Sequence, residues 1–185
     1  MRQDAHVEEA VRAVEPHGPP LRGPLTRFNR VVARWCMYAV VAGLLAIVGI
    51  VFYQVFGRYA LNSSPTWTEN LALVLVLYVT LIAAAVGVRD AGHIGMESLL
   101  MLAPTRLRER IELLIHGLVA LFGVAMAYNG TELGLSVADY KIANLGLSEG
   151  ARYVPLVISG VLIVLFSVEH IIALVQGREV EPAWH

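Results

Sequence analysis

Side chains able to do chemistry are scarce in this chain, and they gather at the edges of apolar runs. In "FGRYALNSSPTWTENLAL", residues 56–73, Arg58 and Glu69 stand on the two lips of a short polar turn, with Asn62 and Trp67 between them. Arg89, Asp90, His93 and Glu97 form a charged group after the next apolar run, and Arg27, Arg30 and Arg34 precede the first one. His116 and His170 lie near the ends of two later runs, and imidazoles so placed in a helix bundle can ligate a haem iron. Their neighbours Glu112 and Glu169 suit ordinary interfacial histidines better, with Glu169 and His170 in the headgroup region. The single cysteine, Cys36, excludes an internal disulfide and any CxxC redox or zinc motif.

These residues need elements to position them, and the composition says which. Of 185 residues 57% are hydrophobic and 16% charged, and the mean hydropathy is +0.63. A soluble domain of this size cannot hide so much apolar surface, so the class is all-α integral membrane. A bilayer core of about 30 Å takes about 20 helical residues. Residues 35–57, 71–88, 113–131 and 153–175 meet that length, which gives four transmembrane helices. Residues 1–23 read as a disordered tail, 24–176 as the membrane domain and 177–185 as a second tail.

Basic residues set the orientation. Six arginines precede the first span, four lie between the second and third, and Arg178 follows the fourth. Only Arg58, Lys141 and Arg152 fall on the other side, so the N- and C-termini are expected in the cytoplasm. Leu25, Phe28, Val31, Val32 and Trp35 recur at helical spacing opposite Arg27, Arg30 and Arg34. This suits a short amphipathic helix before the first span with its arginines on lipid headgroups, or a plain extension of that span.

The middles of the spans carry no Asp, Glu, Lys or Arg, whereas ion and proton carriers place ionisable groups there. Gln54, Thr80, Asn129 and Ser159 are the polar exceptions, of the kind that hydrogen-bond from helix to helix. A substrate site inside this chain is therefore not expected. Ala120, Gly123, Ala127, Gly130 and Gly134 form a seam of small residues along the third span. Such a seam admits a close helix, either from this chain's own bundle or from another membrane protein.

The turn has a physical reading of its own. Arg58 closes an outward-running helix, where a cation complements the negative dipole end, and Glu69 occupies the first turn of the next. Ser64 followed by Pro65, or Thr66 with Glu69, would cap that helix. Arg58 and Glu69 are then satisfied locally, paired with each other, or directed at a partner.

The same stretch carries a family resemblance. Phe56, Arg58, Tyr59, Asn62, Ser64, Trp67 and Glu69 resemble the turn of the small membrane subunit (DctQ-type) of tripartite ATP-independent periplasmic, or TRAP, transporters. Arg89, Asp90, His93, Ile94 and Glu97, the loop around Pro104, and Tyr153 with Pro155 extend the likeness over about residues 28–175. Asn70 stands where that family commonly has a second acid. The resemblance implies a non-catalytic, cofactor-free, multi-pass subunit of the bacterial inner membrane. Its partners would be a large permease, which moves an organic acid inward with sodium, and a periplasmic binding protein that delivers the acid. Membrane lipids are expected around it, and nucleic acid is not a partner. Arg58, Asn62, Trp67 and Glu69 would then help to seat the permease, with Gly123, Ala127 and Gly130 as a second docking face. A haem-bearing anchor of a redox complex and a stand-alone membrane scaffold are the alternatives.

Overall fold

The computed structural model describes residues 23–60, 62–63, 65–90, 105–178 and 180. Four long helices account for most of them: α1 (Pro24–Ala60), α2 (Thr66–Asp90), α3 (Thr105–Ser136) and α4 (Val154–Val175). Each contains a stretch long and apolar enough to cross a membrane. The described residues contain no β-strand, only an isolated bridge between Lys141 and Ser148.

The amphipathic segment and the first span are one 37-residue helix. Pro24 suits its first position, where the missing N–H is an orphan in any case. Its inward face is not the apolar one. Thr26, Asn29 and Ala33 are buried, while Phe28, Val31 and Trp35 are exposed. In a bilayer the apolar stripe can face lipid, which leaves small and polar residues for helix contacts. Arg27 and Arg34 are exposed and Arg30 is half-buried.

At the outer end, the Ser63 N–H donates to the Gly57 carbonyl at 3.1 Å, and Asn62 adopts φ +50°. Asparagine tolerates this left-handed conformation, which commonly ends helices. A Cβ on Gly57 would lie 2.9 Å from the Ser63 carbonyl oxygen, so the turn needs glycine there. Helix α2 then starts at Thr66 with Glu69 in its first turn.

Helix packing follows the order α1, α2, α4, α3. Helix α4 packs along both α2 and α3, α2 packs along α1, and α1 meets α4 only slightly. The result is an open row, with α4 the most buried of the apolar stretches and α1 the least. Ala33, Ala85, Val86, Leu162, Ile163 and Phe166 form the apolar core where α1, α2 and α4 meet. The small residues of α3 are used within the chain. A Cβ on Gly123 would lie 2.9 Å from the Gly160 carbonyl oxygen, and one on Gly160 would lie 2.7 Å from the Ala127 nitrogen. Gly130 faces Leu156 and Val157 in the same way. The docking face expected at Gly123, Ala127 and Gly130 is therefore corrected to an internal α3–α4 contact.

The segment between α3 and α4 folds back as a hairpin. Ile142 N–H donates to the Leu147 carbonyl and Glu149 N–H to the Tyr140 carbonyl, both at 2.7 Å. Asn144 and Gly146 take the positive φ values that its tip requires. A 3₁₀ turn, Glu149–Arg152, leads into α4. Asn70 Nδ2 donates to the Ala143 carbonyl at 3.0 Å and Tyr78 hydroxyl to the Ala151 carbonyl at 3.0 Å, which tie the hairpin to α2.

Two polar residues within the spans bond to their own helices. Asn129 Nδ2 donates to the Ala125 carbonyl at 2.7 Å, and Ser159 Oγ to the Leu156 carbonyl at 3.2 Å. The cross-helix hydrogen bonds expected of these two are not formed among the described residues.

Candidate functional site

Charged groups meet inside the protein at the end of α2 opposite the hairpin. Arg89 and Asp90, expected in a loop, are the last two residues of α2, and both are buried. Arg89 Nη1 lies 2.9 Å from Asp90 Oδ1. Its Nε lies 3.3 Å from Glu169 Oε2 and its Nη2 lies 3.4 Å from Glu169 Oε1. The guanidinium thus bridges a carboxylate on its own helix and one on α4. Asn29 of α1 donates from Nδ2 to Glu169 Oε2 at 2.9 Å. One carboxylate therefore ties three helices.

Glu169 and His170 are placed by the sequence in the headgroup region. Among the described residues they are two of the most buried, at 0% and 2% exposure. Glu169 can be buried because Arg89 and Asn29 compensate it, which follows the rule that buried charges are paired and hydrogen-bonded. His170 Nε2 lies 2.9 Å from the Arg89 carbonyl oxygen. A carbonyl only accepts, so this nitrogen carries the proton. One face of the ring stacks on His116 of α3, centroids 4.6 Å apart and planes within 3°. All four helices therefore contribute to one cluster.

A bis-histidine haem needs two ring nitrogens aimed at one iron from opposite sides of a flat macrocycle. His116 and His170 face each other ring on ring, a separation into which no such disc fits, and His170 Nε2 is engaged by the Arg89 carbonyl. This geometry does not suit the haem anchor. Nor do the described residues hold a group of three or more His, Cys, Asp or Glu arranged for a metal ion. The cluster can lock helices together. Its members are all buried.

The outer lip has a different character. Arg58, Asn62, Trp67 and Glu69 are all exposed. Among the described residues no ion pair joins Arg58 to Glu69. The Trp67 ring lies 6.3 Å from that of Tyr53, tilted by 35°, which makes an aromatic step joining α1 and α2. Tyr59 and Phe56 continue this exposed surface down α1. His93 and Glu97 lie outside the described residues.

Sequence reasoning placed Arg89 and Glu169 at comparable membrane levels but did not bring them together, and it passed over Asn29. A signal was present in the sequence. Glu169 and His170 interrupt an apolar run that has no other charge, and an acid so placed calls for a cation from a neighbouring helix end.

Comparison with known proteins gives the setting of this architecture. Residues 47–177 match the family described as tripartite ATP-independent periplasmic transporters, DctQ component. The chain is 23% identical over 133 residues to the sialic acid TRAP transporter small permease protein SiaQ of Vibrio cholerae, covering 72% of this chain and 77% of that one. It is 21% identical over 133 residues to a putative TRAP transporter small permease protein of Haemophilus influenzae, covering 70% and 81% of the two chains. An 82-residue segment is 32% identical to the sialic acid TRAP transporter permease protein SiaT of Haemophilus influenzae, covering 42% of this chain and 13% of that one. The matched region takes in Arg58, Trp67, Glu69, Arg89, Glu169 and His170 but not Asn29. With four apolar spans and a family match over most of its length, the chain belongs to the DctQ component family of TRAP transporters, as a multi-pass inner-membrane subunit of a system that also has a large permease.

Proposed function

We propose that this subunit braces the large permease during sodium-coupled uptake of an organic acid delivered by a periplasmic binding protein, and that it binds no transported solute itself. The observation that carries this reading is the pairing of a locked interior with an uncovered row. A buried charge cluster fixes the helices at one end, while α1 presents a long exposed aromatic and aliphatic face that includes Trp35, Tyr38, Phe52, Phe56 and Tyr59. A rigid body with broad apolar faces suits a static scaffold against which another subunit moves. Both ends of the chain lie in the cytoplasm, the side favoured by eleven of the 14 basic residues. An impermeant thiol reagent on intact cells checks this, labelling Ser63→Cys and sparing Ala5→Cys. Arg27, Arg30 and Arg34 then meet the inner headgroups. Two relatives are named for sialic acid, which is itself an organic acid, and the solute class proposed for this system is no narrower than that.

The outer lip is the proposed seat of the permease on this side of the membrane. Arg58 and Glu69 are not joined to each other, so each has its charge available for a partner. Arg58→Gln and Glu69→Gln are each expected to lower co-purification of the large permease severalfold, while the small subunit stays monodisperse. The double exchange Arg58→Glu with Glu69→Arg should not restore assembly, because the groups face the partner rather than one another. Full assembly and uptake in both single variants would remove the lip from the interface.

A further inference from the structure

We infer that the crevice that α2 forms with the hairpin segment and the start of α4 holds one membrane phospholipid, its phosphodiester between Lys141 and Arg152 and an acyl chain along Leu77, Leu81 and Leu156. Leu77 and Leu81 of α2, Leu156 of α4, and Val137, Tyr140 and Tyr153 of the segment joining α3 to α4 line it. Its volume is about 790 Å³, within the range of ligand-sized cavities. The leucine walls are apolar, and in a bilayer such a gap is filled by hydrocarbon.

The mouth of the crevice is charged. Lys141 and Arg152 line it, together with Glu149, which lies 3.2 Å from Arg152. The Arg152 and Glu149 side chains are each about one-third exposed, so the pair is open to a third group. The Lys141 ammonium has no hydrogen bond or ion pair among the described residues. Two cations against one carboxylate leave a net positive mouth, which complements a phosphate.

Depth agrees with this assignment. Arg152 precedes His170 by 18 residues in sequence. At 1.5 Å of helical rise per residue this separation is about 27 Å, close to the hydrocarbon thickness of about 30 Å. The cations therefore stand where the phosphates of the outer leaflet lie when the histidine cluster stands at the inner edge. Tyr140, Lys141 and Glu149 of the hairpin line the crevice beside Arg152, at the level assigned to the outer phosphates. A lipid ends at that level.

The test uses the complete chain purified with its large permease, depleted of lipid, and followed by native mass spectrometry as phosphatidylglycerol is added. The wild-type complex should retain one more phosphatidylglycerol than Lys141→Gln/Arg152→Gln, with the half-saturating lipid concentration at least about tenfold lower. Leu81→Trp keeps both cations and fills the crevice, and it should lose the same lipid while still assembling. It carries the test if the double variant fails to assemble. Diacylglycerol with the same chains should not be retained, and inorganic phosphate should not displace the lipid. Equal retention by wild type and both variants would overturn the assignment, as would equal retention of diacylglycerol or displacement by phosphate alone. Crosslinking of Leu81→Cys to the permease in place of lipid retention would also overturn it.

Discussion

Arg89→Gln should abolish most of the folded yield of this protein, and Glu169→Gln should lower its thermal midpoint in detergent by several degrees or more. The side chains of Arg89 and Glu169 are 0% exposed and that of Asp90 is 1% exposed. Removing the guanidinium leaves two carboxylates buried together, and removing one partner of a buried pair costs about 3–5 kcal/mol. Net stabilities of folded domains are about 5–15 kcal/mol, so such a loss is a large fraction of the whole. Glu169→Gln is the milder change, because Asp90 still holds Arg89 Nη1. The triple exchange Arg89→Met, Asp90→Asn and Glu169→Leu should recover much of the midpoint, since it removes the desolvation cost together with the attraction. Unfolding followed by light scattering and by tryptophan fluorescence reads all three. Single variants with wild-type yield and midpoint would show that the cluster does not hold the helices.

Gly160→Val should have the next largest effect. A Cβ there would meet the Gly123 carbonyl oxygen and the Ala127 nitrogen at 2.7 Å. Both are backbone atoms and cannot rotate away, so α3 and α4 must separate. Overpacking of a fitted contact typically costs about 1–3 kcal/mol. Here it opens the most extensive helix pair in the protein, and its loss should release α3 from the row. Gly49→Ala is the matched control, because a Cβ at Gly49 meets nothing within 4 Å. Its midpoint should stay at or slightly above wild type, since alanine favours a helix over glycine by up to about 1 kcal/mol. Limited proteolysis between α3 and α4 in the Gly160→Val protein, and none in the control, is the expected pattern. Equal midpoints for the two would mean that α3 and α4 are not held at Gly160.

Much of the fold was legible because a bilayer imposes a simple length rule. Twenty-three uncharged residues from Trp35 to Gly57 can hardly be anything but a span. The ends were less legible. Charged residues marked where the apolar spans stop, and the helices run past them: Arg89, Asp90 and Glu112 are helical. Residues 24–34 showed an apolar stripe opposite the arginines, but nothing in the sequence said which residues meet the rest of the bundle. Lipid accepts the stripe, so Phe28 and Trp35 turn outwards while Thr26, Asn29 and Ala33 turn inwards.

The candidate site was legible residue by residue but not as a constellation. Glu169 and Arg89 are 80 residues apart, and sequence conveys depth in the membrane but not which helices are neighbours. The small-residue seam on α3 showed its spacing, but its partner is set by a single glycine, Gly160, which carries no periodic signal on α4. The outer lip was the most legible feature, because Arg58, Trp67 and Glu69 lie close in sequence on either side of one turn and stay exposed.

The central claim is that the subunit braces transport without changing its own shape, and an internal crosslink tests it most directly. A Cβ at Gly43 would lie 4.0 Å from the Val79 Cβ, within the range of disulfides. Gly43→Cys with Val79→Cys, in a background carrying Cys36→Ser, can therefore be oxidised to lock α1 to α2. Sodium-driven uptake should be measured in proteoliposomes holding the assembled transporter and supplied with its binding protein. The oxidised and reduced forms should transport at the same rate. Loss of uptake on oxidation, restored by a reductant, would mean that these helices move during the cycle, and the static brace would be contradicted.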